Sequence, residues 1–411
     1  MSRIALVVHA IVPGDPRIRR QTDALVEAGH EVDVFSLRGP GEASEPISTE
    51  SGARVIRLPV TRAFTGFAGH MAEYLAFAGL VAVRLAAEHR RRRYRLVQVA
   101  TVPDFLAFSA APVKLAGVPL LLDLHEDMPE FFRDRFTHPL MRPLLPLVTA
   151  SARAAAAVAD EVITVHEPLR QLSIARGVPA GKISVVMNSA DTRLFDPARH
   201  PRRGFMEDGE LRLVHHSNLQ RIYGLEVAVE AVSLLDAEDL PVRLDVYGDG
   251  PWLPRVEAAI DRTGTADRVH LNGRVPMDDL PGLLSAADVG LVPSLPEPYL
   301  DYSLSTKLLE YAAMGMPVIA SDLATFRAHF TDDAIRYVPG GNPRALADAV
   351  MGLAADPTAA ARLGAEIRRQ SAAYAWEVQA RRYLQIVERL TAQPAAPGRE
   401  GRRSSCWRHC L

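Results

Sequence analysis

The hydrophobic residues of this chain form short clusters that alternate with stretches of helical spacing. Ile4–Val8 is a continuous apolar run, and the apolar-rich segments Leu96–Ala100, Leu211–His215 and Val242–Tyr247 are also predicted strands. A continuous apolar run of about four to eight residues is typical of a strand buried on both faces of a parallel sheet. The amphipathic stretches between the runs predict the helices that cover such a sheet. The alternation therefore predicts an α/β fold class.

This rhythm is interrupted once, at residues 190–209, where apolar periodicity is lost and Pro, Arg and Asp accumulate. A chain of 411 residues is long enough for two domains or more. We therefore expect an N-terminal domain over residues 1–195 and a C-terminal domain over 196–375. A helix is predicted over 376–393, and the Pro-, Gly-, Arg- and Ser-rich tail 394–411 is expected to be disordered.

The most informative stretch is Asp288–Asp322, which predicts a strand, a proline-rich loop, a helix over Ser303–Met314 and a second strand. Free N–H groups and the positive dipole end at the start of that helix favour a phosphate. Lys307 and Glu310 lie three residues apart and share a helix face. Periodicity alone fits equally well with an ordinary helix that carries a surface ion pair.

The string from Lys307 to Ser321 carries Glu310, Gly315 and Pro317-Val-Ile, and it resembles the signature of family 4 glycosyltransferases. These are retaining enzymes of the GT-B fold. The resemblance implies two Rossmann-like domains facing across a cleft, with a C-terminal helix that returns to the first domain. It also implies transfer of a sugar from a nucleotide-diphosphate sugar to a hydroxyl of a glycan, lipid-linked or small-molecule acceptor, as in polysaccharide or glycoconjugate biosynthesis.

The diphosphate loop of this family follows the strand at Leu211–His215 and usually carries Gly-Arg and then Lys-Gly. Here Ser217-Asn218 and Tyr223-Gly224 stand at those positions, so Arg221 is the cation left in the loop. We predict that Arg221, Lys307 and helix N-termini neutralise the leaving diphosphate. Because no Asp-x-Asp pair occurs in a suitable loop, we expect neither a metal nor another cofactor.

The resemblance assigns the ribose to Glu310, whereas Tyr302 occupies the position of an acid that binds the sugar ring. Members with a Ser303, Lys307, Glu310 pattern also lack that acid. Glycines at strand ends let a ligand approach the backbone. We expect the donor to be bound by Gly14, Asp15, Ser217, Asn218, Gly248, Gly250, Gly273, Val275, Tyr302, Ser303, Leu304, Ser305 and Thr306.

In the first half, several ionisable residues follow the strand that ends at Asp123. His125, Glu126 and Asp127 crowd this carboxyl end, which is a typical placement for a site. The resemblance places His125 beside the donor sugar, although an ordinary loop histidine, hydrogen-bonded within the protein, fits the pattern as well. His125, Glu310, Lys307 and Arg221 are the predicted catalytic residues. Arg17, Glu126 and Asp127 are assigned to the acceptor side, with an exposed basic helix face as the other interpretation of Arg17.

Composition narrows the function classes. A net charge of −2 argues against a nucleic-acid binder. The two cysteines, Cys406 and Cys410, provide no disulfide framework, and the N-terminus lacks a signal-peptide pattern, so we expect a cytoplasmic protein. Cys406, His409 and Cys410 lack the further partners of a zinc site.

The segment Phe64–Arg95 combines an apolar helix with an arginine cluster. Its uncharged part, Tyr74–Val83, is shorter than the ~18 residues of a membrane span, so no transmembrane helix is expected. Peripheral contact of residues 74–95 with the inner membrane face is one hypothesis. A core helix with a solvated basic end fits the same pattern.

The departures at Asn218, Tyr223 and Tyr302 leave a second function open. A non-catalytic nucleotide-sugar-binding or scaffold protein of a polysaccharide assembly complex would tolerate them. A nucleotide-sugar epimerase is a third hypothesis, and it would convert the donor without any acceptor.

Overall fold

The computed structural model describes residues 1–12, 15–39, 41–42, 45–60, 66–136 and 138–392, and it divides the chain into two compact units. The first unit joins Met1–Met187 to the chain from Gln379 onward, and the second is Asn188–Val378. Each unit is built on one largely parallel sheet, which confirms the predicted α/β fold class. The predicted tail 394–411 and Gly14 lie outside the described residues.

The first unit has an eight-stranded sheet in the order β3-β4-β2-β1-β5-β6-β7-β8, and only the β3–β4 pair is antiparallel. Its strands are β1 Arg3–Ile11, β2 Glu31–Leu37, β3 Ile47–Ser48, β4 Arg54–Leu58, β5 Leu96–Ala100, β6 Leu120–Leu124, β7 Glu161–Thr164 and β8 Ile183–Val185. Its helices begin with α1 Pro16–Glu27, α2 Gly66–Arg92, α3 Ala111–Lys114, α4 Met128–Arg135, α5 Leu145–Val158 and α6 Glu167–Ala175.

The helix α2 carries apolar residues on both its buried face and its exposed face. Phe77, Val81 and Leu85 recur at a spacing of four residues, and they are buried in the core cluster of the sheet. By length and composition α2 is also the one helix among the described residues that could cross a membrane, with a mean hydropathy of 1.3 and 17% of that window buried. Crossing would withdraw these three side chains from the core, so the packing favours a helix that stays on the sheet.

The second unit has a six-stranded parallel sheet in the order β11-β10-β9-β12-β13-β14. Its strands are β9 Leu211–His216, β10 Val242–Tyr247, β11 Val269–Leu271, β12 Val289–Val292, β13 Val318–Ser321 and β14 Arg336–Val338. Its helices are α7 Leu225–Ala237, α8 Leu253–Thr263, α9 Leu280–Ser285, α10 Thr306–Ala313, α11 Ala324–Arg327, α12 Pro343–Ala355 and α13 Pro357–Ser371.

The last helix, α14 Trp376–Ala392, contributes to the first unit, as the fold class predicted. Tyr383 donates its hydroxyl hydrogen to Gln98 Oε1 at 2.6 Å in the middle of the first sheet. Gln379 Oε1 accepts a hydrogen bond from the backbone N–H of Met187. These buried contacts fix the end of the chain against the first sheet.

The predicted start of the helix at Ser303 is wrong, because α10 begins at Thr306. Residues Pro298–Tyr302 form a 3-10 turn, and the backbone of Ser303 and Ser305 is extended. Ser305 takes the N-cap position, which serine favours. Leu304 is buried although it lies in this extended segment. Its spacing of four residues from the buried Leu308 therefore resembled a helical turn, but the helix begins only after it.

Candidate active site

In an open parallel sheet, ligands bind outside the carboxyl ends of the strands where the strand order reverses. In the second unit this point lies between β9 and β12. The loops that follow these strands contact each other, since Leu295 donates its N–H to Ile222 O at 2.8 Å. The predicted diphosphate loop and the amino end of α10 therefore meet at one place.

The loops after β10 and β11 pack onto the same edge. A Cβ atom at Gly248, where φ is +135°, would lie 1.8 Å from Ser217 O. At Gly250 it would lie 2.3 Å from Leu219 O. These glycines are needed for loop packing whether or not a ligand approaches them. The packing also brings Gly273 in, because Gly248 donates its N–H to Gly273 O. Asn218 lies beside Gly250 in the same cluster. Val275, two residues after Gly273, is half-buried.

Glu310 lies one turn into α10 and is held by His216, the last residue of β9. His216 Nε2 lies 2.5 Å from Glu310 Oε2, and its Nδ1 lies 3.2 Å from the Tyr311 hydroxyl. Because a carboxylate only accepts hydrogen bonds, Nε2 carries the proton. No described residue donates to Glu310 Oε1, so this oxygen is available to a ligand hydroxyl. His216 was not among the predicted site residues, although a histidine that ends a strand before a phosphate loop is a usable signal.

The neighbouring His215 is fully buried and structural. Its Nδ1 donates to Leu291 O at 3.0 Å, and its Nε2 accepts from the Ser217 hydroxyl at 2.9 Å. Burial, and then the charge of Lys307, lowers its pKa well below the usual range. His215 is therefore neutral, and it fixes the side chain of Ser217.

Lys307 is 5% exposed, and its Nζ lies 3.9 Å from the centroid of the Tyr223 ring. Burial lowers its pKa to about 8, and the charge of Glu310 acts in the opposite direction. Within the part of the chain that the structure describes, no oxygen accepts a hydrogen bond from Nζ. Tyr223 stands where the family carries lysine, so here the loop supplies an aromatic face to a cation that comes from α10.

The other predicted donor residues surround the amino end of α10. Arg221 is 46% exposed on its side chain and pairs with Glu297 at 2.8 Å, so its charge is already compensated in this structure. Tyr302 ends the 3-10 turn, and the Ser305 hydroxyl makes no capping hydrogen bond. Thr306 is exposed at the first turn, between the half-buried Ser303 and Ser305 and the rest of the helix.

In the first unit the strand order reverses between β1 and β5, and His125 lies at the end of the next strand, β6. The backbone N–H of His125 donates to Thr101 Oγ1, and the ring Nε2 of His125 lies 3.3 Å from Asp123 Oδ2. Burial alone would raise the pKa of Asp123, but the charges of Arg17 and His125 outweigh it and hold the pKa well below the usual range. His125 thus lies next to a permanently ionised carboxylate.

Arg17, which is predicted to serve the acceptor side, is buried and does not belong to an exposed basic helix face. It is 4% exposed, with Nη2 and Nε at 2.7 and 3.0 Å from the two carboxylate oxygens of Asp123. Asp15 is the N-cap of α1 and accepts the N–H groups of Arg17 and Ile18. Both side chains therefore have structural partners within the first unit.

The acidic residues after β6 form a cluster with Asp104. Asp127 caps α4 and pairs with Arg176 at 2.6 Å. Asp104 is 3% exposed, and burial, followed by the charge of Asp127, raises its pKa to about 7. Both acids and the half-buried Glu126 line a cavity of about 40 Å³. No sequence pattern pointed to Asp104, because its burial depends on contacts made by distant segments.

No three His, Cys, Asp or Glu side chains come together as a metal-binding group in the described ranges between residues 1 and 392.

Comparison with known proteins gives the same class for both halves of the chain. Residues 14–189 match the model of a "Glycosyl transferase 4-like domain", and residues 210–356 match "Glycosyl transferases group 1". The 2-deoxystreptamine glucosyltransferase of Streptomyces kanamyceticus is 29% identical over 74% of this chain and 79% of its own length. The D-inositol 3-phosphate glycosyltransferase of Xylanimonas cellulosilytica is 30% identical over 57% and 58%, so the alignment spans little more than half of that relative.

Solved structures show the same fold. Sucrose-phosphate synthase of Thermosynechococcus elongatus superposes with a TM-score of 0.77 at 22% identity, covering 95% of this chain and 100% of that one. Anabaena HepE in complex with UDP-glucose superposes with a TM-score of 0.70 at 16% identity, with the same coverage. The chain is a glycosyltransferase with the GT-B fold. It belongs to the GT4-type glycosyltransferases, the family that its α10 motif resembles.

Proposed function

We propose that this protein is a retaining glycosyltransferase that takes its sugar from a nucleotide-diphosphate sugar. One observation carries the proposal: the amino end of α10, the buried Lys307 and the carboxylate of Glu310 lie together at the switch point of the second sheet. An N-terminal helix end and a lysine whose ammonium donates to no oxygen of the described residues suit a diphosphate. A carboxylate oxygen without a donor suits a ribose hydroxyl. Sites for both parts of the donor are thus one turn apart.

In the proposed reaction the bond between the sugar carbon and the diphosphate breaks, and the acceptor oxygen bonds to the same face of that carbon. The acceptor proton passes to the leaving phosphate, so no side-chain nucleophile is required. Lys307 and the α10 N–H groups stabilise the negative charge that grows on the diphosphate. We propose that these groups, with Arg221, replace a metal ion.

The relatives support the choice of substrates. HepE was solved with UDP-glucose, which supports a nucleotide-sugar donor. The relatives named for 2-deoxystreptamine and D-inositol 3-phosphate both use a cyclitol acceptor by name, which supports a small-molecule hydroxyl acceptor among the classes considered. We propose that His125, at the carboxyl edge of the first sheet, lies beside the donor sugar, and that the acidic residues Glu126 and Asp127 serve the acceptor side.

A non-catalytic nucleotide-sugar-binding or scaffold protein is the second candidate. It is favoured by two features, the replacement of the family lysine by Tyr223 and the pairing of Arg221 with Glu297. These features leave Lys307 as the main cation for the diphosphate.

The deciding experiment combines a thermal-shift panel of UDP-, GDP- and ADP-sugars with a turnover assay. Ligand at 100 times its dissociation constant should stabilise the protein by about 2.7 kcal/mol. With the donor identified, cyclitol and glycan acceptors are added, and the anomeric configuration of the product is determined by NMR. Retention supports the proposal and inversion contradicts it. Binding without turnover on any acceptor favours the scaffold, and donor conversion without acceptor favours the epimerase.

The pKa of Lys307 gives a pH-dependent prediction. The ammonium form binds the diphosphate, so donor affinity should weaken as pH rises from 7 through about 8 to 9, approaching tenfold per pH unit above the pKa. Isothermal titration calorimetry with the sugar nucleotide measures this.

The variant Lys307→Met should bind more weakly at pH 7 and show a flat profile. Lys114→Met is the control, because that lysine forms a surface pair with Asp160 in the other unit. A flat profile for the parent protein would exclude Lys307 as the diphosphate cation.

We further propose a cytoplasmic location with peripheral contact at the inner membrane face through residues 74–95, the segment that includes most of α2.

A further inference from the structure

The first unit exposes an apolar layer on one side of its sheet. The layer consists of α2, the segment Asp104–Leu115 and the segment Pro139–Val158, and the segment 104–115 contacts both of the others. The inner side chains of these elements share the core cluster of the sheet. With Met1 and Met277 set aside, every exposed large hydrophobic side chain of the described residues lies in this layer: Leu75, Leu80, Val83, Phe108, Leu115, Leu140, Leu147 and Val158.

The solvent side of α2 shows how unusual this surface is. Over residues 68–83 every exposed position of the helix is Ala, Gly, Leu or Val, and Val83 is 72% exposed. A surface helix normally turns a charged or polar face to water. An apolar patch extended over several elements marks an interaction site on a soluble domain.

The charges of the layer indicate the partner. Its three acidic side chains, Glu73, Glu88 and Asp104, are all buried. The charged side chains that are exposed are all basic: Arg84, Arg90, Arg91, Arg142 and Arg153. Lys114 is half-buried and pairs with Asp160 just beyond α5. The outer surface of the layer therefore combines apolar side chains with positive charge.

We propose that this apolar face docks on an anionic lipid surface. Apolar side chains would enter the headgroup boundary while the arginines pair with lipid phosphates. A two-fold dimer through the same face would bring like-charged arginine rims together, which disfavours a second copy. The proposal extends the peripheral contact proposed above from residues 74–95 to three elements and names its partner.

The test uses the full-length protein and vesicles of phosphatidylcholine, alone or mixed in equal parts with phosphatidylglycerol. In co-sedimentation without any donor, binding is expected only to the mixed vesicles and should weaken as salt is raised. Leu80→Glu with Val83→Glu should reduce the bound fraction at least about tenfold. Each of Arg90→Gln and Arg91→Gln should weaken binding about fivefold.

Met277→Glu is the matched control, because Met277 is an exposed hydrophobic side chain of the second unit at 42%. It should bind vesicles like the parent. The proposal would be overturned if the Leu80→Glu, Val83→Glu double variant bound mixed vesicles as well as the parent does, or if the parent bound neither kind of vesicle. A concentration-dependent dimer, seen by sedimentation velocity and abolished by Val83→Glu, would also overturn it. Turnover of a soluble acceptor should stay the same in the Leu80, Val83 variant, so failure of lipid binding and failure of glycosyl transfer are seen separately.

Discussion

Replacing Glu310 with alanine is expected to weaken donor binding about 10- to 100-fold and to lower the transfer rate at least as much. Hydrogen bonds to a charged group contribute about 1.5–3 kcal/mol each, and the variant loses those that the carboxylate makes to the ribose. The loss should appear in the dissociation constant of the nucleotide alone as well as of the nucleotide-sugar, because the ribose belongs to both. Calorimetry and a coupled nucleotide-release assay measure the two effects.

The control for this prediction is Glu230→Ala. Glu230 lies on α7 of the same unit and forms an exposed pair with Arg262 at 2.8 Å. Its loss should leave donor binding unchanged, because Glu230 is not among the candidate site residues, and it should cost at most about 1 kcal/mol of stability. Thermal unfolding of both variants shows whether the freed His216 disturbs the fold. A Glu310→Ala protein that transfers sugar as fast as the parent would remove Glu310 from the mechanism.

The buried strands were predictable because their apolar residues recur either continuously or at every second position. Ile4–Val8 is a continuous apolar run within β1, and β10 alternates the buried Val242, Leu244 and Val246 with half-buried residues. The two-residue strand β3, Ile47–Ser48, was not predicted, since its edge position needs no apolar run and its neighbours are polar. Buried strands leave a strong pattern, and a short edge strand leaves almost none.

Within the candidate site, local spacing could be predicted and distant partners could not. The spacing of Lys307 and Glu310 placed both on one face of α10, as the structure has them. Their partners come from another strand and loop, His216 at 94 residues from Glu310 and Tyr223 above the lysine. A histidine or tyrosine in a loop carries no periodic signal about what it will contact. The two charged residues of the site, Lys307 and Glu310, were therefore predictable, but their contacts with Tyr223 and His216 were not.

Arg17 is the clearest case of an ambiguous charge. The sequence places Arg17, Arg19 and Arg20 near the start of α1, which fits a basic surface. Arg17 is nevertheless buried against Asp123, 106 residues away. The sequence contains both charges but not their distance. Only the folded structure, in which Arg17 of α1 is hydrogen-bonded to Asp123 of β6, assigns the guanidinium to this buried pair.

The variant Arg17→Met should consequently lose about 3–5 kcal/mol of unfolding free energy, the cost of leaving a buried charge without its partner. Asp123 is fully buried, and besides Arg17 it accepts hydrogen bonds from Gln21 Nε2 at 2.7 Å and from Gln98 Nε2 at 3.4 Å. Urea denaturation followed by circular dichroism, with hydrogen exchange on β6, measures the loss in the first unit. Arg344→Met, which breaks exposed pairs with Glu238 and Asp348, should lose at most about 1 kcal/mol.

The pH dependence of this loss tests its electrostatic origin. In the parent protein the depressed pKa of Asp123 contributes stability above the unfolded value, and that stability is lost as pH falls. In Arg17→Met, burial instead raises the pKa of the carboxyl, so acid neutralises it and the difference between the two proteins should shrink toward about pH 4. Adding Asp123→Asn to Arg17→Met should recover part of the stability at pH 7, because no buried charge is then left unpaired. A loss that is equal at pH 7 and pH 4, and unchanged in the double variant, would show that Arg17 acts through packing and not through its charge.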